Sequence, residues 1–121
     1  MDPLKRAVTD DSMLAFLRAF ERLRTLDREM PGQVVSTFLY IASHDPCHKQ
    51  AIEEDLVHTT ASCSRNIDLL CERQRYKNRE GLHLVEKYRD PSNARRFLVR
   101  LTPKGIALIK SIREDLYGST Y

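Results

Sequence analysis

Between residues 60 and 66 the chain sets out Thr60, Ser62, Ser64, Arg65 and Asn66, short polar groups and planar donors gathered in the first turns of one amphipathic pattern. Such groups at that spacing suit base edges in a major groove. Arginine can bond guanine O6 and N7, and asparagine can pair with adenine. Spacing leaves open which of Arg65 and Asn66 turns inward. Arg73 falls on the same polar side further along and suits a phosphate contact. A second set of cations, Lys87, Arg89, Arg95 and Arg96, flanks a run of turn formers at 90–94. Arg95 and Arg96 would suit an adjacent minor groove, where the potential is most negative if the groove is narrow, while Lys87 and Arg89 would position the chain on phosphates. The bland alternatives are a solvated helix face for Arg65 and Asn66, and for Arg95 an internal bond to Asp90 or Asn93 that shapes the turn.

Something must hold these residues in place. Met13, Phe16, Leu17, Phe20 and Leu23 recur at three- and four-residue steps and predict a helix from Thr9 to about Arg28, capped by Thr9, Asp10 or Asp11. Pro31-Gly32 breaks it. The run Val34 to Ala42 is apolar around most of a helix and predicts a central buried one, ended by Asp45-Pro46. A short helix is expected over 48–57. It is followed by a second in which Cys63, Ile67, Leu70 and Cys71 face inward and Ser62, Arg65, Asn66 and Arg73 outward, a helix-turn-helix pattern. Residues 74–80 carry no apolar stripe and predict a solvated extension of that helix or a loop, with Gly81 as its stop. Leu82 to Arg89 and Arg96 to Leu101 predict a β-hairpin with a basic tip, and Pro103 opens a closing helix. The fold class expected is α+β, mainly α: a winged helix-turn-helix with flanking N- and C-terminal helices.

The chain has 121 residues, 41% of them hydrophobic and 31% charged, which suits one ordinary globular domain and argues against disorder. Its net charge of +3 is unevenly spread. Residues 60–100 hold 10 Lys and Arg against 5 Asp and Glu, whereas residues 1–59 hold 7 against 10. A polyanionic partner for the middle follows. No apolar run approaches the roughly 18 residues that cross a bilayer, and the N-terminus lacks the apolar core of a secretory signal, so a cytoplasmic location is expected and no membrane partner. Cys47, Cys63 and Cys71 match no zinc or redox spacing and suit a reducing compartment. His44, Asp45, Cys47 and His48 crowd together, but Pro46 interrupts their helix and no fourth metal ligand is evident. Without a phosphate loop, nucleophile elbow or paired carboxylates in register, an enzyme is not expected, nor a cofactor.

In order and in register, three stretches resemble the MarR family of bacterial and archaeal winged-helix transcription regulators. They are Ser62-Cys63-Ser64-Arg65-Asn66-Ile67, Asn93-Ala94-Arg95, and Phe97-Leu98-Val99-Arg100-Leu101-Thr102-Pro103-Lys104-Gly105. The similarity covers roughly residues 33–116. It implies a two-fold homodimer on double-stranded DNA, with the recognition helix in the major groove and the basic wing in the minor groove, acting as a repressor. Residues 1–32 would form an N-terminal dimerisation helix, 33–102 the DNA-binding core with its wing at about 82–101, and 103–121 the C-terminal helix. Leu14, Leu17, Phe20, Ile109, Ile112 and Leu116 would line the dimer contact. The resemblance also implies release by a small-molecule effector; Phe16, Phe20, Phe38 and Tyr40 could line its pocket, although aromatics at helical spacing are more often core. Departures mark a short, divergent member. Val57-His58 replaces a usual Gly-Leu, Asp68 and Leu69 stand where basic residues are common, 74–80 looks inserted, and Tyr121 precedes a last dimerisation helix. Asp68, Leu69 and the acidic face at 53–55 support an alternative, a winged-helix protein-interaction adaptor or replication-associated DNA-binding protein of a virus or mobile element, in host cytoplasm.

Overall fold

The computed structural model describes residues 4, 6–71, 73–74 and 79–118. It divides into two compact units, residues 31–107 and residues 1–30 with 108–121. The fold is α+β and mainly helical. In the larger unit the order is α2 (Gly32–Ser43), β1 (Cys47–His48), α3 (Lys49–Leu56), α4 (Thr60–Leu70), β2 (Arg73–Gln74), β3 (Arg79–Glu80), β4 (Val85–Asp90) and β5 (Asn93–Leu101). The helix α5 (Pro103–Tyr117) starts there and continues into the smaller unit, which also holds α1 (Asp11–Arg24).

Phe38 and Ile41 of α2, Ile52 of α3, Ile67 and Leu70 of α4, Leu84, Val85 and Val99 are all essentially inaccessible to solvent and form the core of the larger unit. Each contributes about 1.5–3 kcal/mol by leaving water. The predicted all-round burial of α2 gives way to a stripe, Val34, Thr37, Phe38 and Ile41, while Leu39 stays exposed. Tyr40 leaves the core by its hydroxyl, which donates to Asp55 at 2.5 Å and ties α2 to α3. The strands pair antiparallel in the order β1-β5-β4, with Cys47 opposite Val99 and Lys87 also opposite Val99. β1 escapes sequence periodicity because two residues carry no period. Of the segment expected as a helical extension or a loop, residues 75–78 lie outside the described residues, while residues 73–74 and 79–80 are strands. These pair as β2 and β3, Arg73 opposite Glu80 and Gln74 opposite Arg79.

The helix α4 is fixed at both ends. Thr59 caps its start by accepting from the Ser62 amide at 3.1 Å. At its far end the N–H groups of Leu82, Leu84 and His83 donate to the carbonyls of Leu69, Leu70 and Cys71 at 2.9, 2.8 and 3.0 Å, satisfying acceptors that a helix terminus leaves open. The approach is close enough that a Cβ on Gly81 would stand 2.1 Å from the Cys71 carbonyl oxygen. The Leu-Thr-Pro-Lys-Gly junction follows the same logic. Thr102 donates its amide to the Leu84 carbonyl at 3.0 Å and its hydroxyl to the His83 carbonyl at 2.6 Å, then accepts from the Gly105 amide at 3.1 Å to cap α5. A Cβ on Gly105 would meet the Leu84 carbonyl oxygen at 2.1 Å.

In the smaller unit Asp10 caps α1, accepting from the amides of Ser12 and Met13 at 3.0 and 3.2 Å. The helix ends at Arg24, short of the predicted Arg28, where Thr25 turns its amide back to the Glu21 carbonyl. Arg22 forks onto both oxygens of Asp115 on α5 at 2.6 and 2.8 Å. Leu14, Ile109 and Ile112, expected at a dimer contact, are instead buried within the chain, because they lie on the inward faces of α1 and α5. On α1 the large apolar residues that face solvent are Met13, Phe16, Leu17 and Phe20, each at least 41% exposed, and Leu116 and Tyr117 do so near the end of α5.

Three outcomes for stability follow. Val57 ends α3 in the left-handed region, φ 54° and ψ 49°, with its side chain 88% exposed. A β-branched residue is strained there, so Val57→Gly should stabilise the chain by about 0.5–1 kcal/mol in urea unfolding. Gly81→Ala, which must displace backbone, should destabilise it by about 2 kcal/mol or more in the same experiment. The Arg22 hydrogen bond holds the Asp115 carboxyl below its usual range. The resulting stability is present above the unfolded carboxyl pKa and is lost as pH falls through the lower folded one. Asp115→Asn should therefore cost up to about 1 kcal/mol at neutral pH, given that Arg22 is largely exposed, and the difference from the parent should narrow below about pH 4.

Candidate nucleic-acid interface

One face of α4 is inward. Cys63, Asn66, Ile67 and Leu70 form a buried stripe at helical spacing. Asn66 is thus the residue that turns in, only 8% exposed, and its amide donates to the Gln33 side chain on α2 at 3.3 Å. Its expected place on the outer face with Arg65 is corrected, since the helical period puts it beside Cys63 and Ile67. Thr60 and Arg65 are exposed, and Ser62 and Ser64 are half-buried. Ser62 steadies Arg65, whose guanidinium donates to its hydroxyl at 3.3 Å. Arg73 lies beyond the end of α4, in β2, rather than on its outer face, and its side chain is outside the described residues.

The wing is the hairpin of β4 and β5, tighter than the sequence predicts, with Pro91 and Ser92 between the strands. Its tip is built by local bonds. Asp90 accepts from the amide and hydroxyl of Ser92 at 2.8 and 3.0 Å, and this holds its carboxyl below the usual range. Asn93 accepts from the Arg95 amide at 3.1 Å, so the internal bond considered for Arg95 exists but is made by its backbone. The strand register passes from Arg89 opposite Phe97 to Asp90 opposite Asn93, which leaves residues 94–96 opposite nothing on β4. A bulge of this kind re-aims side chains. Arg89 braces it by donating to the Ala94 carbonyl at 2.7 Å.

The four wing cations divide in two. Lys87 lies 3.8 Å from Asp68 on α4 and 5.0 Å from the Phe97 ring centroid; Arg89 lies 4.8 Å from the same centroid. Both are therefore engaged inside the unit. The side chains of Arg95 and Arg96 are exposed and make no hydrogen bond or ion pair among the described residues. They project from the bulge beside the start of α3, where His48, Lys49, Gln50, Glu53, Arg95, Arg96 and Phe97 line a cavity of about 270 Å³. Sequence reasoning missed that His48, Lys49 and Gln50 meet the basic tip. The pairing of β1 with β5, His48 opposite Leu98, brings them there.

Among the described residues no group of three or more His, Cys, Asp or Glu side chains could hold a metal ion. Burial pushes the Cys47 and Cys63 thiols up to about 11, so neither is a thiolate nucleophile at neutral pH. Of the aromatics considered for an effector pocket, Phe38 is fully buried, Phe16 and Phe20 are exposed, and Tyr40 is bonded to Asp55. No described helix is long and apolar enough to cross a membrane.

No family model matches the sequence, and no curated protein matches it. Solved structures do match. The S. aureus MepR-DNA complex is similar at 20% identity and a TM-score of 0.62, over 83% of this chain and 73% of that one. A mutant of E. coli MarR complexed with operator DNA is similar at 18% identity and 0.56, over 87% and 73%. The PcaV transcriptional regulator from Streptomyces coelicolor is similar at 17% and 0.56, over 81% of this chain and 66% of that one. At this level of identity the likeness is one of fold: the chain has a MarR-like winged helix.

Proposed function

We propose that the chain is a sequence-specific regulator of transcription that binds double-stranded DNA as a homodimer and represses by occupying its site, without enzymatic activity. The observation that carries this reading is the pairing, in one compact unit, of an α4 face bearing Thr60, Ser64 and Arg65 with a bulged wing whose Arg95 and Arg96 are exposed. Arg65 would read guanine in the major groove. Arg95 and Arg96 would enter the neighbouring minor groove. Two of the similar structures are DNA complexes, which supports the same docking here.

Asn66 takes a different part from the one its type suggests. Buried on Gln33, it orients α4 rather than reading a base. The exposed stripe Met13, Phe16, Leu17 and Phe20, with Leu116 and Tyr117, supports a second copy of the chain as partner, in place of Leu14, Ile109 and Ile112. A two-fold dimer would set two α4 helices one helical turn of DNA apart.

Fluorescence anisotropy on a duplex enriched by the parent, against a scrambled duplex, separates the roles. Arg65→Ala should lose the preference between them by about 1–3 kcal/mol, whereas Arg95→Ala should weaken both more evenly. Asn66→Ala should lower thermal stability and leave the ratio of the two affinities near that of the parent. Parent-like binding by both arginine variants would contradict the proposal.

A further inference from the structure

We propose that His48 and Asp90 form a pH-responsive latch between the helix-turn-helix and the wing tip, fastened when the imidazole is charged and loose when it is neutral. The two sides come from separate elements. His48 stands in β1, immediately ahead of α3, and Asp90 ends β4, where the register breaks and the tip begins. Oδ2 of Asp90 lies 3.9 Å from His48 Nδ1, too far for a hydrogen bond but close enough for charge to act. That nitrogen is inaccessible to solvent and has no hydrogen-bond partner among the described residues, so water cannot stand in for the carboxylate. The Asp90 side chain is only 11% exposed, and its other oxygen is committed to the amide and hydroxyl of Ser92.

The chemistry follows from the two ring nitrogens. In the neutral imidazole a lone pair on Nδ1 would face a carboxylate oxygen, which favours the tautomer with its proton on Nδ1. The His48 side chain as a whole is 38% exposed, so a second proton enters from the water side, at Nε2. The ring then carries a full positive charge against Asp90, and the near miss becomes a charge-assisted bond. Asp90 is ready for it. The amide hydrogen bond from Ser92 holds its carboxyl below the usual range, so it stays ionised while a histidine titrates. The other charged groups around His48 are Lys49 and Glu53 on α3, and Arg95 and Arg96 on β5. Lys49 and Glu53 offset each other as an ion pair. Arg95 and Arg96 oppose charging of the ring, and Arg96 also acts on Asp90, but both arginines are exposed and screened by solvent. The latch therefore strengthens the fold below the histidine range, about pH 6.5 for a free imidazole, and loses that contribution as pH rises through it.

Urea unfolding of the full chain, of His48→Gln, of Asp90→Asn and of the double variant, at about pH 5.5 and about pH 8, isolates the pair. Asp90→Asn keeps an oxygen for Ser92, so the turn survives while the charge is lost. Coupling between the two positions should raise the folding constant about threefold at the lower pH and fade to none at the higher. Amide exchange reads the tip itself, through the Ser92 and Arg95 amides that close its turn. Corrected for the intrinsic pH dependence of exchange, both should be about threefold better protected at the lower pH in the parent, and His48→Gln should abolish the difference. Coupling of equal size at both pH values, or none at either, would overturn the latch, as would a pH-dependent protection that survives in His48→Gln. Should Asp90→Asn fail to fold, the exchange comparison of the parent with His48→Gln decides alone. Neither readout uses DNA, so a parent that binds no duplex would remove the DNA reading and leave the latch to these two measurements.

Discussion

The backbone of Leu84 is where the larger unit is locked together. Its amide closes the end of α4 through the Leu70 carbonyl, its carbonyl receives the Thr102 amide at the start of α5, and its side chain is fully buried. Gly81 and Gly105 are glycines because neighbouring backbone occupies the place of a Cβ at each. Helix, wing and closing helix therefore share one hydrogen-bonded knot. Any face presented by α4 is held at a fixed angle to the wing, which is what simultaneous contact with two adjacent grooves would demand.

Charge is distributed to match. Lys87 and Arg89 are drawn in, toward Asp68, Phe97 and the Ala94 carbonyl, and they stiffen the hairpin. The bulge at 94–96 pushes Arg95 and Arg96 out, close to the uncapped start of α3. A carboxylate on the outer face of α4 looks unfavourable for binding a polyanion, but Asp68 sits within reach of Lys87, so its charge is largely compensated where it stands.

Much of this was legible in the sequence for physical reasons. Periodicity located α1, α2, α4 and α5, Asp45-Pro46 ended α2, and Pro103 marked the first turn of α5. The strands β1, β2 and β3 were not legible, since two-residue strands carry no alternation and gain their partners from tertiary placement. Asn66 looked like an outward reader because its type is polar, yet its register beside Cys63 and Ile67 put it inside, where Gln33 satisfies it. In α1 the opposite happened. The strongest apolar stripe, Met13 to Phe20, faces out, and burial falls on Leu14, Ala19 and Leu23. Hydrophobic spacing signals an interface without saying whether it lies within the chain or beyond it.

The most direct measurement is selection from a pool of random duplex DNA followed by sequencing, at two salt concentrations, with the mass of the protein in solution determined alongside. The proposed mode predicts enrichment of an inverted repeat with half-sites about one helical turn apart, bound by a dimer with an affinity that falls steeply with salt. A pool that emerges without any enriched sequence, from a chain that remains monomeric, would contradict it.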